Sequence, residues 1–204
     1  MKLPRPTAYK LNSLLNQTDA TVDRFLYPAV IRKLSSVHWT PLEIARRASH
    51  WLAPKPGIRV LDIGSGVGKF CLIGACHTKG HFTGVEYREN LVRQANKAME
   101  KARVKNVAFI HADMLSVDFS LFDSFYFFNP FFENVARSIA IDDQVVLSRN
   151  LYEQYISHVR RELDRSKSGT RVATYCSSDS FIPKSYVMDT KRSEENGLKF
   201  WMKP

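Results

Sequence analysis

The order of apolar and polar positions changes character once along the chain. Up to about residue 53, apolar side chains recur at helical spacing. Phe25, Leu26, Val30, Ile31 and Leu34 predict a helix over 21–34. Thr40-Pro41-Leu42-Glu43 reads as an N-cap, a proline at the first helical position and an acid in the first turn. Ile44, Ala45, Ala48 and Leu52 carry that second helix to the stop at Pro54-Lys55-Pro56-Gly57. Beyond it, short apolar runs alternate with amphipathic ones. Strands are predicted over 59–63, 82–86, 107–110, 124–128 and 170–176, and helices over 69–77, 89–103 and 144–165. Segments 185–191 and 198–202, separated by a polar stretch with Asn196-Gly197, read as a closing antiparallel pair. Strands alternating with helices mean an α/β fold: a doubly wound, mostly parallel sheet of seven strands, covered on both faces. The expected division is a helical extension over 1–53 and the α/β domain over 54–204.

Composition narrows the class without choosing a function. Of 204 residues, 44% are apolar and 25% charged, which excludes a disordered or fibrous chain. No window approaches the roughly 18 uninterrupted apolar residues of a membrane helix, and residues 1–10 lack the apolar stretch of a secretory leader. Three cysteines are too few for a disulfide framework and fit a reducing, cytoplasmic setting. The net charge is +10, and residues 1–60 hold ten Lys/Arg against Asp19, Asp23 and Glu43. That basic N-terminal third suits an anionic partner, either RNA or an acidic protein surface, and equally a solvated face.

In doubly wound sheets ligands bind beyond the carboxyl ends of the strands, so the chemistry is sought there. The first strand runs into Asp62-Ile63-Gly64-Ser65-Gly66-Val67-Gly68-Lys69. Alternate glycines allow a sharp turn and close approach to a ligand, ahead of the free amides of a helix N-terminus. The phosphate-binding G-x-x-x-x-G-K-[ST] pattern is not met, because Gly64 stands one residue too close to Gly68-Lys69 and Phe70 replaces the hydroxyl. Nor is the dinucleotide G-x-G-x-x-G, whose third glycine would fall at Lys69. The second strand ends in Glu86-Tyr87, 24 residues after Asp62; the third leads into His111-Ala112-Asp113-Met114; the fourth ends in Asn129-Pro130-Phe131-Phe132.

Taken in order, these four strand ends resemble those of the class I, Rossmann-like S-adenosylmethionine (SAM)-dependent methyltransferases. The resemblance covers about residues 38–202. It implies a cofactor site at Asp62, Gly64, Ser65, Gly66, Gly68, Glu86, Tyr87, Asp113, Met114 and Asn129, with Glu86 on the ribose diol, Asp113 on the adenine amine and Met114 against the ring. S-adenosylhomocysteine would be the product. Asn129-Pro130-Phe131-Phe132 resembles the family's acceptor motif, in which an Asn side chain and a proline carbonyl accept hydrogens from a target nitrogen and an aromatic residue holds the substrate. The resemblance assigns the acceptor side to Asn129, Pro130 and Phe131. The family often has a second proline where this chain has Phe131, so either Phe131 or Phe132 could be the aromatic wall. The motif implies nitrogen methylation, with a lysine-type protein amine as the main expectation. An RNA acceptor using the basic N-terminal third, a small-molecule acceptor, and a non-catalytic binding module stand as alternatives.

Other signals carry less. Cys71, Cys76, His77 and His81 do not have the spacing of a usual zinc framework, and no metal is expected. His111 reads as a strand-end structural residue, and the aromatic cluster over 119–132 as mostly core. The basic run 160–167 suits the C-terminal end of a helix. The resemblance implies that a segment before the glycine loop closes over the cofactor, and His38-Trp39-Thr40-Pro41 is the candidate; Trp39 would either cover the cofactor or pack the N-terminal helices on the sheet. No general base is evident.

Overall fold

A computed structural model describes residues 11–14, 16–194 and 196–204. Lys2, Arg5 and Lys10, and the leader-free reading of 1–10, lie outside the described residues. The chain begins with four short helices, α1 (Leu11–Leu14), α2 (Asp19–Leu26), α3 (Ala29–Arg32) and α4 (Ser35–His38), followed by α5 (Leu42–Leu52). Then come β1 (Arg59–Ile63), α6 (Lys69–His77), β2 (His81–Glu86), α7 (Glu89–Ala102), β3 (Val107–His111), β4 (Ser124–Phe128), α8 (Arg149–Arg165), β5 (Arg171–Tyr175), β6 (Val187–Met188) and β7 (Leu198–Met202).

The seven strands form one sheet in the order β3-β2-β1-β4-β5-β7-β6. The first five are parallel, and β7 runs antiparallel between β5 and β6. The expected doubly wound sheet is therefore observed. Alternation along the central strands builds two cores. Val60, Phe82, Tyr126, Ala173 and Phe200 face α5, α6, α7 and the N-terminal helices. Leu61, Ile63, Phe125, Phe127, Val172 and Trp201 face α8. Helix α6 lies between the sheet and other helices, so seven of its nine residues are buried, including Lys69. The N-terminal helices join the first core through Leu11, Val22, Leu26, Tyr27 and Trp39. Among the described residues no helix is long and apolar enough to cross a membrane.

The element boundaries depart from expectation where proline or a distant partner intervenes. The helix expected over 21–34 is three pieces. Pro28 has no N–H to donate and pushes Tyr27 into extended backbone (φ −126°, ψ 147°). Thr40 is not the cap of α5: its hydroxyl lies 2.9 Å from that of Tyr126. The first free amide of α5, at Leu42, instead donates to Asp19 Oδ1 at 2.8 Å, so one helix caps another. The long helix starts at Arg149 behind its cap Ser148, and residues 144–148 are non-helical. Of the strand expected over 185–191 only Val187–Met188 pairs.

Candidate functional site

At the carboxyl end of β1 the chain must turn into α6 within five residues. Gly64, Gly66 and Gly68 all take positive φ, at 74°, 54° and 79°, a region in which a Cβ is costly. The amides of Gly64 and Ser65 donate to the Val85 carbonyl at 3.0 and 2.9 Å, which ties the loop to β2. Gly68 is constrained twice. A Cβ there would also lie 2.3 Å from the Phe109 ring. We expect Gly68→Ala to cost about 2–4 kcal/mol from left-handed backbone and overpacking together. A melting temperature within 1 °C of wild type would contradict this.

Glu86 ends β2 and is buried. Its Oε2 accepts from the Gly66 amide at 3.0 Å and its Oε1 from the Arg88 amide at 2.8 Å. The carboxylate thus joins the glycine loop to the start of α7. Burial raises its pKa, opposed by those two backbone hydrogen bonds. Asp62 lies under the loop, 3% exposed. Its carboxylate has the Cys71 thiol at 3.5 Å and, among the described residues, no cation paired with it. Desolvation, opposed by the thiol and reinforced by the charge of Glu86, pushes its pKa up to about 8.

A cleft enclosing about 150 Å³ opens over these strand ends. Of the residues expected to hold the cofactor, Gly64, Gly66, Glu86, Tyr87, Met114 and Asn129 line it. Asp62 and Ser65 line a smaller recess under Trp39 that also reaches Gly64. Asp113 lines neither, though its neighbours Ala112 and Met114 line the cleft; its Oδ1 caps the turn Met114–Ser116, accepting from the Leu115 amide at 2.9 Å. Gly68 likewise lies behind the loop, against Phe109. His111 has the expected structural role, with Nε2 3.0 Å from the Tyr87 carbonyl oxygen.

The fourth strand end carries the backbone strain. Asn129 and Phe131 are non-glycine residues at φ 40° and 66°. The Asn129 amide donates to Ser177 Oγ at 2.5 Å. Pro130 is buried against the glycine loop, its Cβ 3.2 Å from where a Gly64 Cβ would stand. Both aromatics line the cleft, with different surroundings. Phe131 stacks on Tyr155 of α8, with centroids 4.2 Å apart and planes at 15°. Phe132 stays 37% exposed at the cleft. Phe131, expected on the acceptor side, is thus largely engaged in packing, and Phe132 is the freer ring.

Two features were invisible in the sequence. Arg88 is buried; its guanidinium clamps Glu133 bidentately at 3.0 and 2.8 Å and donates to Asp142 Oδ1 at 2.9 Å. This fastens the segment after Asn129-Pro130 to the residue beside Glu86. Lys69 is 4% exposed, with Nζ 2.5 Å from Asp19 and 2.8 Å from Asp23, both on α2. His38 and Trp39 enter the cleft from the N-terminal segment. Trp39 packs on Tyr27, with ring centroids 4.6 Å apart, and also lines the cleft. Among the described residues no group of three or more His, Cys, Asp or Glu is placed to hold a metal ion.

Two features of the site fit a SAM cradle. The Ser65 hydroxyl is buried without a hydrogen-bond partner among the described residues, and nothing lies within 4 Å of where a Gly66 Cβ would stand. A polar atom awaiting a partner and a bare backbone edge both suit an adenosine-bearing ligand.

Comparison with known proteins places this geometry in a family. A model described as "Methyltransferase domain" matches residues 54–194. The 23S rRNA (uracil(1939)-C(5))-methyltransferase RlmD of Shewanella sediminis is 39% identical over 77 residues, 38% of this chain. That match takes up only 17% of the relative's length. TrmN from Thermus thermophilus superposes with a TM-score of 0.58 at 18% identity, over 85% of this chain and 52% of that one. The [4+2]-cyclase SpnF superposes at 0.50 and 18% identity, over 68% and 46%. The two solved structures establish the fold alone, and SpnF shows that the fold by itself does not fix the chemistry. The family model covers more than half of the chain, and the chain belongs to the methyltransferase domain family.

Proposed function

We propose that this protein methylates RNA, at a nitrogen, with SAM as the donor. The observation that carries the reading is the meeting of Gly64, Gly66 and Glu86 with Asn129, Pro130 and Phe132 around one cleft. Cofactor-holding and acceptor-holding groups therefore face a common space. The bound cofactor supplies an electrophilic methyl on a sulfonium leaving group. The chain's own task is positioning and exclusion of water. Asp62, Ser65, Gly64, Gly66, Glu86 and Met114 would hold the cofactor. The Asn129 side chain has no hydrogen-bond partner among the described residues and is free to accept from the target nitrogen. The exposed Phe132 ring is placed to stack on a base, a contact worth about 1–3 kcal/mol. Residues 54–204 would be the methyl-transferring unit, with 1–53 as a helical extension over it.

RNA is preferred over the lysine-type amine expected from the acceptor motif. The curated relative acts on ribosomal RNA by its name, and the net charge of +10 suits a polyanion. Nothing in the comparisons favours a protein substrate. The relative's carbon target is not carried over. Methylation at uracil C5 calls for a nucleophile that adds to the neighbouring ring carbon, and none of the three cysteines lines the cleft.

The test is transfer of a labelled methyl group from SAM into RNA and protein fractions of cells lacking the gene. We expect nuclease-sensitive label, with binding that weakens steeply between 50 and 200 mM salt. Label confined to the protein fraction would overturn the RNA reading.

A further inference from the structure

Methylating a nitrogen that bears a hydrogen leaves a proton to be removed, and the strand-end motifs provide no base for it. The N-terminal segment brings one. His38 ends α4 and lines both the main cleft, shared with Asn129, Pro130 and Phe132, and the recess that holds Asp62, Gly64 and Phe128. Among the described residues its ring has no hydrogen-bond partner, so both nitrogens are available to a substrate. The position is fixed from behind. Trp39, the next residue, is wedged against Tyr27 and lies under Lys69, which pairs with Asp19 and Asp23. Tyr27 in turn donates to the Val67 carbonyl of the glycine loop at 3.1 Å.

We propose that His38 is the proton acceptor of the methyl transfer. This rests on the methyl-transfer reading but not on RNA being the acceptor. The acceptor nitrogen's lone pair forms the N–C bond while the S–C electron pair returns to sulfur. The proton that nitrogen then sheds passes to the free imidazole nitrogen of His38 and afterwards to water. The charged groups around the ring are Glu133 after β4 and Arg88 at the start of α7, with Asp62 across the recess and Lys69 behind Trp39. Half-burial lowers the imidazole's pKa, Glu133 opposes that and Arg88 adds to it. The ring is therefore neutral and able to accept a proton at physiological pH.

The experiment compares His38→Gln and His38→Ala with wild type, using full-length protein and labelled SAM. Acceptors are RNA and protein extracted from cells lacking the gene. Expected results are a kcat loss of about 100-fold and loss of the acidic limb of the pH–rate profile. Affinity for S-adenosylhomocysteine should stay within threefold, and added imidazole should partly rescue His38→Ala. Independently of activity, the His38 ring signals in NMR should titrate below the ordinary histidine value in wild type. A kcat within threefold of wild type, an unchanged pH profile, or a ring that titrates above the ordinary value would overturn the proposal. So would a loss of S-adenosylhomocysteine affinity that accounts for the whole effect, which would make His38 a lid residue. If wild type labels only protein, the RNA reading fails and His38 is judged on that acceptor. If neither fraction takes label, both fall.

Discussion

Asp62→Asn is expected to stabilise the ligand-free protein above neutral pH while weakening SAM binding about 10- to 100-fold. The carboxyl is 3% exposed, has no cationic partner among the described residues, and its pKa is pushed up to about 8 from an ordinary 3.8. The folded state therefore holds this proton more tightly than the unfolded chain. Stability attributable to Asp62 is fully present below about pH 4 and is lost as pH rises towards 8. Four pKa units correspond to on the order of 5 kcal/mol at the top of that window. Burial of the replacement amide offsets part of the relief, leaving about 2–3 kcal/mol. At roughly 2–4 °C per kcal/mol for a chain of this size, the melting temperature should rise by about 5–10 °C at pH 8 and hardly change at pH 4. The loss of binding follows from charge. SAM is cationic, and a buried carboxylate facing a cation contributes about 1.5–3 kcal/mol. Binding should also expel the Asp62 proton, which calorimetry in buffers of different ionisation enthalpy would detect below pH 8. Unchanged stability at pH 8, or SAM affinity within twofold of wild type, would refute this account.

The residues legible in the sequence are those whose job is local. Asp62, Gly64, Gly66 and Gly68 serve a strand-to-helix turn only a few residues long, so their spacing survives as a pattern. Glu86 ends a strand whose apolar period marks its position. The β-α alternation gives the sheet for the same reason, because each strand and helix carries its own period. What could not be read is what distant segments bring together. Arg88 meets Glu133 and Asp142 across 45 and 54 residues, and Lys69 meets Asp19 across 50. No periodicity encodes such pairs. Thr40 acts through a contact on another element, so its local sequence pointed elsewhere. Pro28 was available to reading and marks the break in the first helix. The choice between Phe131 and Phe132 was not legible, since it depends on positive φ at two non-glycine residues that composition does not signal. The local marks thus locate the cofactor loop, and the long-range ionic contacts determine which N-terminal residues stand over it.

The second large effect concerns those contacts. Lys69→Met should lower the melting temperature at pH 8 by about 10 °C and loosen the N-terminal helices from the glycine loop. Methionine fills the volume of the lysine stem but leaves two carboxylates on α2 without their cation. Asp23 has a side chain only 7% exposed, whereas that of Asp19 is 47% exposed and keeps its bond to the Leu42 amide. Most of the cost therefore falls on Asp23. Removing one partner of a buried pair typically costs 3–5 kcal/mol, because the remaining charge stays desolvated. Burial already raises the Asp23 pKa despite Lys69, and without the ammonium it should rise further. The destabilisation should consequently be largest at pH 8 and shrink towards pH 5, as Asp23 takes up its proton. Adding Asp23→Asn to Lys69→Met should restore at least half of the lost stability. Tyr27, Trp39 and His38 are carried by the same segment, so S-adenosylhomocysteine affinity and protease resistance before residue 40 should fall and recover together with it. A Lys69→Met protein that melts within 2 °C of wild type at pH 8, or a double variant no more stable than the single one, would show that shape complementarity rather than the ion pair seats these helices.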